Sequence, residues 1–226
     1  MFNTARYNPV IMTSKKGIFT GFLTIFFLIL CTMPVLAYSS DAVDWYAQGN
    51  ALMKSRNYSE AIGAYDHATV LAPEFFEAWN GKADALNRAQ RFSEALIASD
   101  KALAINPEYV QGWINRGYIL YNLGRYDDEL GAYEKAISFD SSNPEAWFNK
   151  GYSLAGMKRY DEAILAFDKV QSLNPDYPNL AANKRIAEQS RDAATPWYIK
   201  NAFTLGVIAL FAIGAIAWFV SVRKQY

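Results

Sequence analysis

Tryptophan returns along this chain at a constant interval: Trp45, Trp79, Trp113 and Trp147 stand 34 residues apart. A single globular core has no need of that regularity, whereas a stack of like units produces it. Aligned on the tryptophans, residues 42–75, 76–109, 110–143 and 144–177 are four units of equal length with no insertion. Gly49, Ala83, Gly117 and Gly151 come four positions after each tryptophan, and Leu52, Leu86, Leu120 and Leu154 three beyond those. Spacing of i, i+4 and i+7 places the three on one face of a helix. The second half of each unit opens on Tyr58, Phe92, Tyr126 or Tyr160 and carries Ala68, Ala102, Ala136 or Val170. Pro73, Pro107 and Pro175 then stop it, since proline cannot continue a helix. Each unit is expected to be a helical hairpin that buries its faces only against its neighbours.

Three positions break the pattern. Glu129 stands where the other units have Ala61, Ala95 and Ala163. Ser99 replaces the bulky ring of Tyr65, Tyr133 and Phe167, and Ser141 replaces the closing proline. The first two are expected to loosen packing and to make the third unit the weakest, with Glu129→Ala raising the melting temperature if the carboxylate is buried.

The recurring Trp, Gly/Ala, Leu, Tyr/Phe, Ala and Pro series resembles the tetratricopeptide repeat family at nearly every signature position, over 136 of 226 residues. The resemblance implies an all-α fold, a right-handed superhelix of four helix-turn-helix repeats. Residues 178–195 read as the polar capping helix that such arrays need. The resemblance also implies a protein-interaction scaffold that is not an enzyme and takes a protein or peptide ligand in the concave groove lined by the first helix of each repeat. Carried onto this sequence, the groove positions select Tyr46 and Asn50 in the first unit, and Asn80, Asp84 and Asn87 in the second. The third contributes Asn115, Tyr118, Tyr121 and Asn122, and the fourth Phe148, Asn149 and Tyr152. Asparagine offers both donor and acceptor to a peptide backbone, and tyrosine gives wide contact with few rotamers to lose. Asn115, Asn149 and Phe148 are equally at home as scaffold residues. Tyr118, Tyr121 and Tyr152 gather in units three and four, where the contact is expected. Lys54 and Arg88 stand against Glu77, Asp84 and Glu145 in this set, so a strongly charged ligand is not favoured.

The ends of the chain read as membrane segments. Lys15 and Lys16, the uncharged run Ile18 to Leu30 and the small-residue pattern Val35-Leu36-Ala37 have the layout of a secretory signal cleaved after Ala37. Residues 1–37 are thus a signal peptide, with Met1 or Met12 as the start, or an uncleaved transmembrane helix, because 18–37 is long enough to span. Residues 202–222 carry no charge and read as a transmembrane helix; Arg223 and Lys224 put the tail 223–226 on the cytoplasmic side and the repeats on the extracytoplasmic side of the cell membrane. Anchored chains of this build resemble prokaryotic envelope proteins. An alternative role is an assembly subunit of a larger membrane complex, with residues 202–222 as the interface.

Charge and composition narrow the chemistry. Residues 38–195 hold all 22 acidic residues but only 16 of the 22 basic ones, a net charge of about −6 that argues against nucleic acid. One histidine and one cysteine cannot build a zinc site or most catalytic triads, and no cofactor or small-molecule substrate is expected. His67 shares its position with Lys101, Lys135 and Lys169 and is expected at the surface. Asn57-Tyr58-Ser59 is an N-glycosylation sequon at the turn inside the first unit.

Overall fold

The computed structural model describes residues 38–223, without the side chains at 197 and 219–222. The segment 1–37 and residues 224–226 lie outside the described residues. Four hairpins follow one another: α1 (Ser40–Lys54) with α2 (Tyr58–Leu71), α3 (Phe76–Arg88) with α4 (Phe92–Ile105), α5 (Val110–Asn122) with α6 (Tyr126–Phe139), and α7 (Pro144–Gly156) with α8 (Tyr160–Leu173). Next come α9 (Leu180–Ala194), the short α10 (Trp197–Lys200) and α11 (Ala202–Arg223). Each second helix packs on the first helix of the next unit, and α8 packs on α9. No strand occurs among the described residues.

The hairpins close because a ring sits where its partner helix has no side chain. Tyr65, Tyr133 and Phe167 are all but fully buried. They lie on Gly49, Gly117 and Gly151; a Cβ at Gly49 would come within 2.6 Å of the Tyr65 ring, and one at Gly151 within 2.8 Å of the Phe167 ring. The second unit changes both members together, with Ala83 in the glycine position and Ser99 in the ring position, both fully buried. The expected loosening at Ser99 is therefore partly offset by the methyl of Ala83, although the Ser99 hydroxyl has no hydrogen-bond partner among the described residues.

Within each hairpin the turn is a helix C-terminal Schellman motif. In the first, the Asn57 N–H donates to the Leu52 carbonyl at 2.9 Å and the Arg56 N–H to the Met53 carbonyl at 3.0 Å. The same pair of bonds recurs at Gln90 and Arg91, Gly124 and Arg125, and Lys158 and Arg159. The left-handed residue this motif demands is Arg56, Gln90, Gly124 and Lys158, so only the third turn uses glycine. At a left-handed position glycine relieves about 1 kcal/mol of backbone strain. Lys158→Gly is accordingly expected to stabilise the chain by up to about 0.5 kcal/mol after the added freedom of the unfolded chain is counted, measured by thermal denaturation.

Between units the tryptophans act as staples. The indole N–H of Trp79 donates to the Pro73 carbonyl at 2.8 Å, that of Trp113 to Pro107 at 2.7 Å, and that of Trp147 to Ser141 at 2.9 Å. Because the acceptor is a main-chain carbonyl, serine at 141 keeps the bond. Ion pairs repeat at the same joints: Lys82 with Asp66 at 2.5 Å, Arg116 with Asp100 at 3.0 Å, Lys150 with Glu134 at 2.8 Å and Lys184 with Asp168 at 2.5 Å. Their acidic partners are exposed, so each pair adds little stability, but together they mark register. Through Lys184 that register extends into α9. Among the described residues no unit precedes Trp45, which stacks instead on the exposed His67, ring centroids 4.3 Å apart.

Two positions sit less comfortably. Glu129 occupies the small-residue crossing where Ala61, Ala95 and Ala163 are fully buried, and it is only 2% exposed. Its Oε2 and the nearby buried Ser153 Oγ have no hydrogen-bond partner among the described residues.

α11 covers the apolar segment 202–222 and Arg223 after it, and shows Phe203, Leu210, Phe211, Ile213, Ile216 and Trp218 exposed. Among the described residues, no helix is long and apolar enough to cross a membrane. The side chains of α11 are described only as far as Trp218 and again at Arg223.

Candidate functional site

The first helices α1, α3, α5 and α7 follow one another along one side of the stack, because α3, α5 and α7 each pack between the second helices before and after them. On their shared face the asparagines of neighbouring units join. The Asn115 amide donates to Asn80 Oδ1 at 3.0 Å, the Asn122 amide to Asn87 Oδ1 at 2.9 Å, and Gln111 to Asn115 Oδ1 at 3.3 Å. The Tyr118 hydroxyl donates to Asn149 Oδ1 at 3.0 Å, and the Tyr65 hydroxyl to Asn50 Oδ1 at 2.7 Å. These bonds fix the amides before any ligand arrives, which lowers the ordering cost of binding.

The structure divides the predicted residues into three groups. Asp84, Asn87, Asn115, Tyr118, Tyr121 and Asn122 line one polar cleft, with Glu145 on its wall. Tyr152 lies beyond it and lines an adjoining trough, in which Tyr121 also takes part. The remaining residues are committed to packing. Tyr46 sits against Tyr65 and Phe75 at 5.9 and 4.9 Å between ring centroids, and Phe148 against Phe167 and Tyr177 at 5.7 and 5.0 Å. Asn80 and Asn149 are buried and Asn50 is half-buried. Asn57 caps the start of α2 with its carbonyl, which accepts from the Ala61 N–H at 3.0 Å, and its side chain is half-buried.

Charge in the cleft is largely self-contained. The Arg88 guanidinium donates to Asp84 at 2.9 Å one helical turn away. Burial holds the Glu145 carboxyl above its usual range, although the Tyr118 hydroxyl pulls it back. Burial likewise raises the Tyr118 phenol to about 12, so this hydroxyl stays protonated and keeps its bond to Asn149. Among the described residues no group of His, Cys, Asp and Glu is arranged to hold a metal ion.

The trough is about 500 Å³ and runs between units three and four and α9. Tyr121, Tyr126, Tyr152 and Tyr160 line it with Met157, and Asn183 and Ile186 of α9 complete it. Of these only Tyr121 and Tyr152 stand at groove positions chosen from the sequence. Tyr126 and Tyr160 open second helices, which the first-helix rule leaves out. Asn183 and Ile186 lie in the segment read as a polar cap. A signal for them exists: Leu180, Lys184 and Ala187 stand 34 residues after Ala146, Lys150 and Ser153, so α9 continues the register as the first helix of a fifth unit. Leu180 and Ala187 are buried as that register requires.

Family models described as tetratricopeptide repeat match residues 46–110, 98–130 and 144–177, and one described as TPR repeat matches residues 117–158. Together they run without a gap from the first unit to the end of the fourth. The chain belongs to the tetratricopeptide repeat family. No curated protein matches it. Among solved structures, this tetratricopeptide repeat protein is similar to TTC0263, a thermophilic TPR protein of Thermus thermophilus, at 19% identity and TM-score 0.61, covering 77% of this chain and 92% of that one. It is also similar to YrrB, described as a TPR protein with an unusual peptide-binding site, at 23% identity and TM-score 0.55, covering 68% of this chain and 79% of that one. A third is the first TPR of Spaghetti (RPAP3), bound to the HSP90 peptide SRMEEVD, at 24% identity and TM-score 0.51, covering 53% of this chain and 94% of that one. At these identities the likeness establishes the fold of the tetratricopeptide repeats.

Proposed function

We propose that this protein is a membrane-anchored scaffold that captures a peptide or helix of another protein in the cleft and trough of units two to four. The observation that carries the reading is the row of partly exposed tyrosines, Tyr118, Tyr121 and Tyr152, at 39%, 44% and 52% exposure on a pre-bonded asparagine lattice. Such rings offer broad contact with little entropy to lose. Peptide binding in YrrB and in the first TPR of Spaghetti supports the use of this fold for such capture. The ligand here differs in charge from SRMEEVD: Arg88 is already paired with Asp84, and Glu145 faces the same cleft. An interface of this size supports roughly micromolar affinity, about −8 kcal/mol.

The anchor in this reading is α11. The sequence from 202 to 222 is uncharged and about 31 Å long as a helix, and Arg223 and Lys224 follow it. By the positive-inside rule the repeats then lie outside and the tail in the cytoplasm, with 1–37 as the export signal. On that side of the membrane the Asn57 sequon is open to glycosylation in a cell that has the machinery. Anchoring raises the effective concentration near membrane partners.

Two measurements test the reading. Tyr118→Ala, Tyr121→Ala and Tyr152→Ala combined are expected to weaken partner pull-down at least about a hundredfold, the sum of several hot-spot losses, with little change in the melting curve. If pull-down instead responds only to substitutions in α11, the chain is an assembly subunit that uses that helix as its interface. Protease added to intact cells is expected to digest the repeats and spare the last residues; the reverse pattern contradicts the orientation.

A further inference from the structure

The trough beside the cleft has chemistry of its own. In a chain that is 19% charged, no charged side chain lines it. Four tyrosines reach it from four helices, and Tyr121 and Tyr126 meet edge-on with ring centroids 5.9 Å apart. Whereas Tyr65 and Tyr118 give their hydroxyls to Asn50 and Asn149, the hydroxyls of Tyr121, Tyr126, Tyr152 and Tyr160 have no hydrogen-bond partner among the described residues. The site therefore presents flat apolar faces, spare donors and no charge.

Resting on the groove reading above, we infer that this trough holds a proline-rich segment of the partner in the polyproline II conformation. That conformation makes no internal hydrogen bonds, so its carbonyls project as acceptors, and proline brings no N–H that would need an acceptor in return. Tyrosine hydroxyls meet that one-sided demand, and pyrrolidine rings pack on aromatic faces. A helix would arrive with its backbone already bonded and leave the four hydroxyls idle. An oligosaccharide would arrive rich in hydroxyl donors, and the trough has no carboxylate to accept from them.

The test is fluorescence anisotropy on the full chain in detergent micelles, with labelled decaproline, a labelled Gly-Ser decapeptide and a labelled chito-oligosaccharide as probes. Decaproline is expected to bind, and the other two are not. Tyr152→Ala is expected to weaken decaproline binding about tenfold or more, the loss typical of a tyrosine anchor. Tyr126→Phe with Tyr160→Phe, which keeps the rings and removes two donors, is expected to weaken it by a smaller factor with an unchanged melting curve. Val70→Ala, exposed on a second helix of the first unit and away from the trough, is expected to change it less than about twofold. No binding of decaproline, equal binding of the Gly-Ser peptide, preference for the oligosaccharide, or indifference to Tyr152→Ala would each overturn the assignment. Partner crosslinking at the groove that persists after such a result would contradict only the proline-rich ligand; its loss as well would contradict the groove reading too.

Discussion

Glu129→Ala is expected to raise the stability of this chain at pH 8 by about 2–3 kcal/mol, about 5–10 °C in melting temperature. At this crossing the other three units place an alanine, and the Glu129 carboxyl is 2% exposed with one oxygen unbonded. Burial pushes its pKa up to about 7 from an ordinary 4.5. The folded chain thus binds a proton more tightly than the unfolded one. Stability from this group is fully present below about pH 4.5 and is lost as pH rises through 7. The gain from Glu129→Ala should therefore shrink to under about 1 kcal/mol at pH 5, only half a unit above the unfolded pKa of 4.5, where the folded carboxyl is neutral. Melting curves of wild type and variant across pH 5 to 8 check this. A gain that stays constant with pH would mean that the carboxylate is satisfied in the folded chain.

Gly117→Ala is expected to cost about 2–3 kcal/mol, because the added methyl meets the buried ring of Tyr133 and overpacks the hairpin. Tyr133→Ser alone is expected to cost about 3–5 kcal/mol through the space it empties. Their combination copies the Ala83 and Ser99 pair of the second unit, so the two costs should fall short of additive by about 2 kcal/mol or more. Denaturant unfolding of the two single variants and the double variant in detergent measures that coupling. Strict additivity would show that the ring and the glycine do not meet.

Much of this architecture was legible because the Trp, Gly/Ala, Leu and Pro positions each perform a backbone-level task that recurs in every unit. The tryptophan interval reports a main-chain staple, and the glycines report a ring packed against a helix. Buried Glu129 was legible in the same way, as a break in a small-residue column. The Schellman turns were not, since Arg56, Gln90 and Lys158 take a left-handed conformation that their side chains do not advertise. The groove was legible only in part. A position rule marks which residues face inward but not which of them a neighbour has already engaged, so Tyr46 and Phe148 read like Tyr121 until their ring contacts are seen. Tyr126, Tyr160 and Ile186 reach the trough from elements outside that rule, and they come together only when α9 docks in register through Lys184 and Asp168.

The proposed function turns on where a partner touches the chain, and site-specific photocrosslinking in native membranes measures that directly. A photoreactive residue placed at Tyr121 or Tyr152 is expected to capture a discrete protein, while the same residue at exposed Val70 or Ile97 on second helices captures none. Equal capture at all four positions, or capture only from within α11, would contradict it.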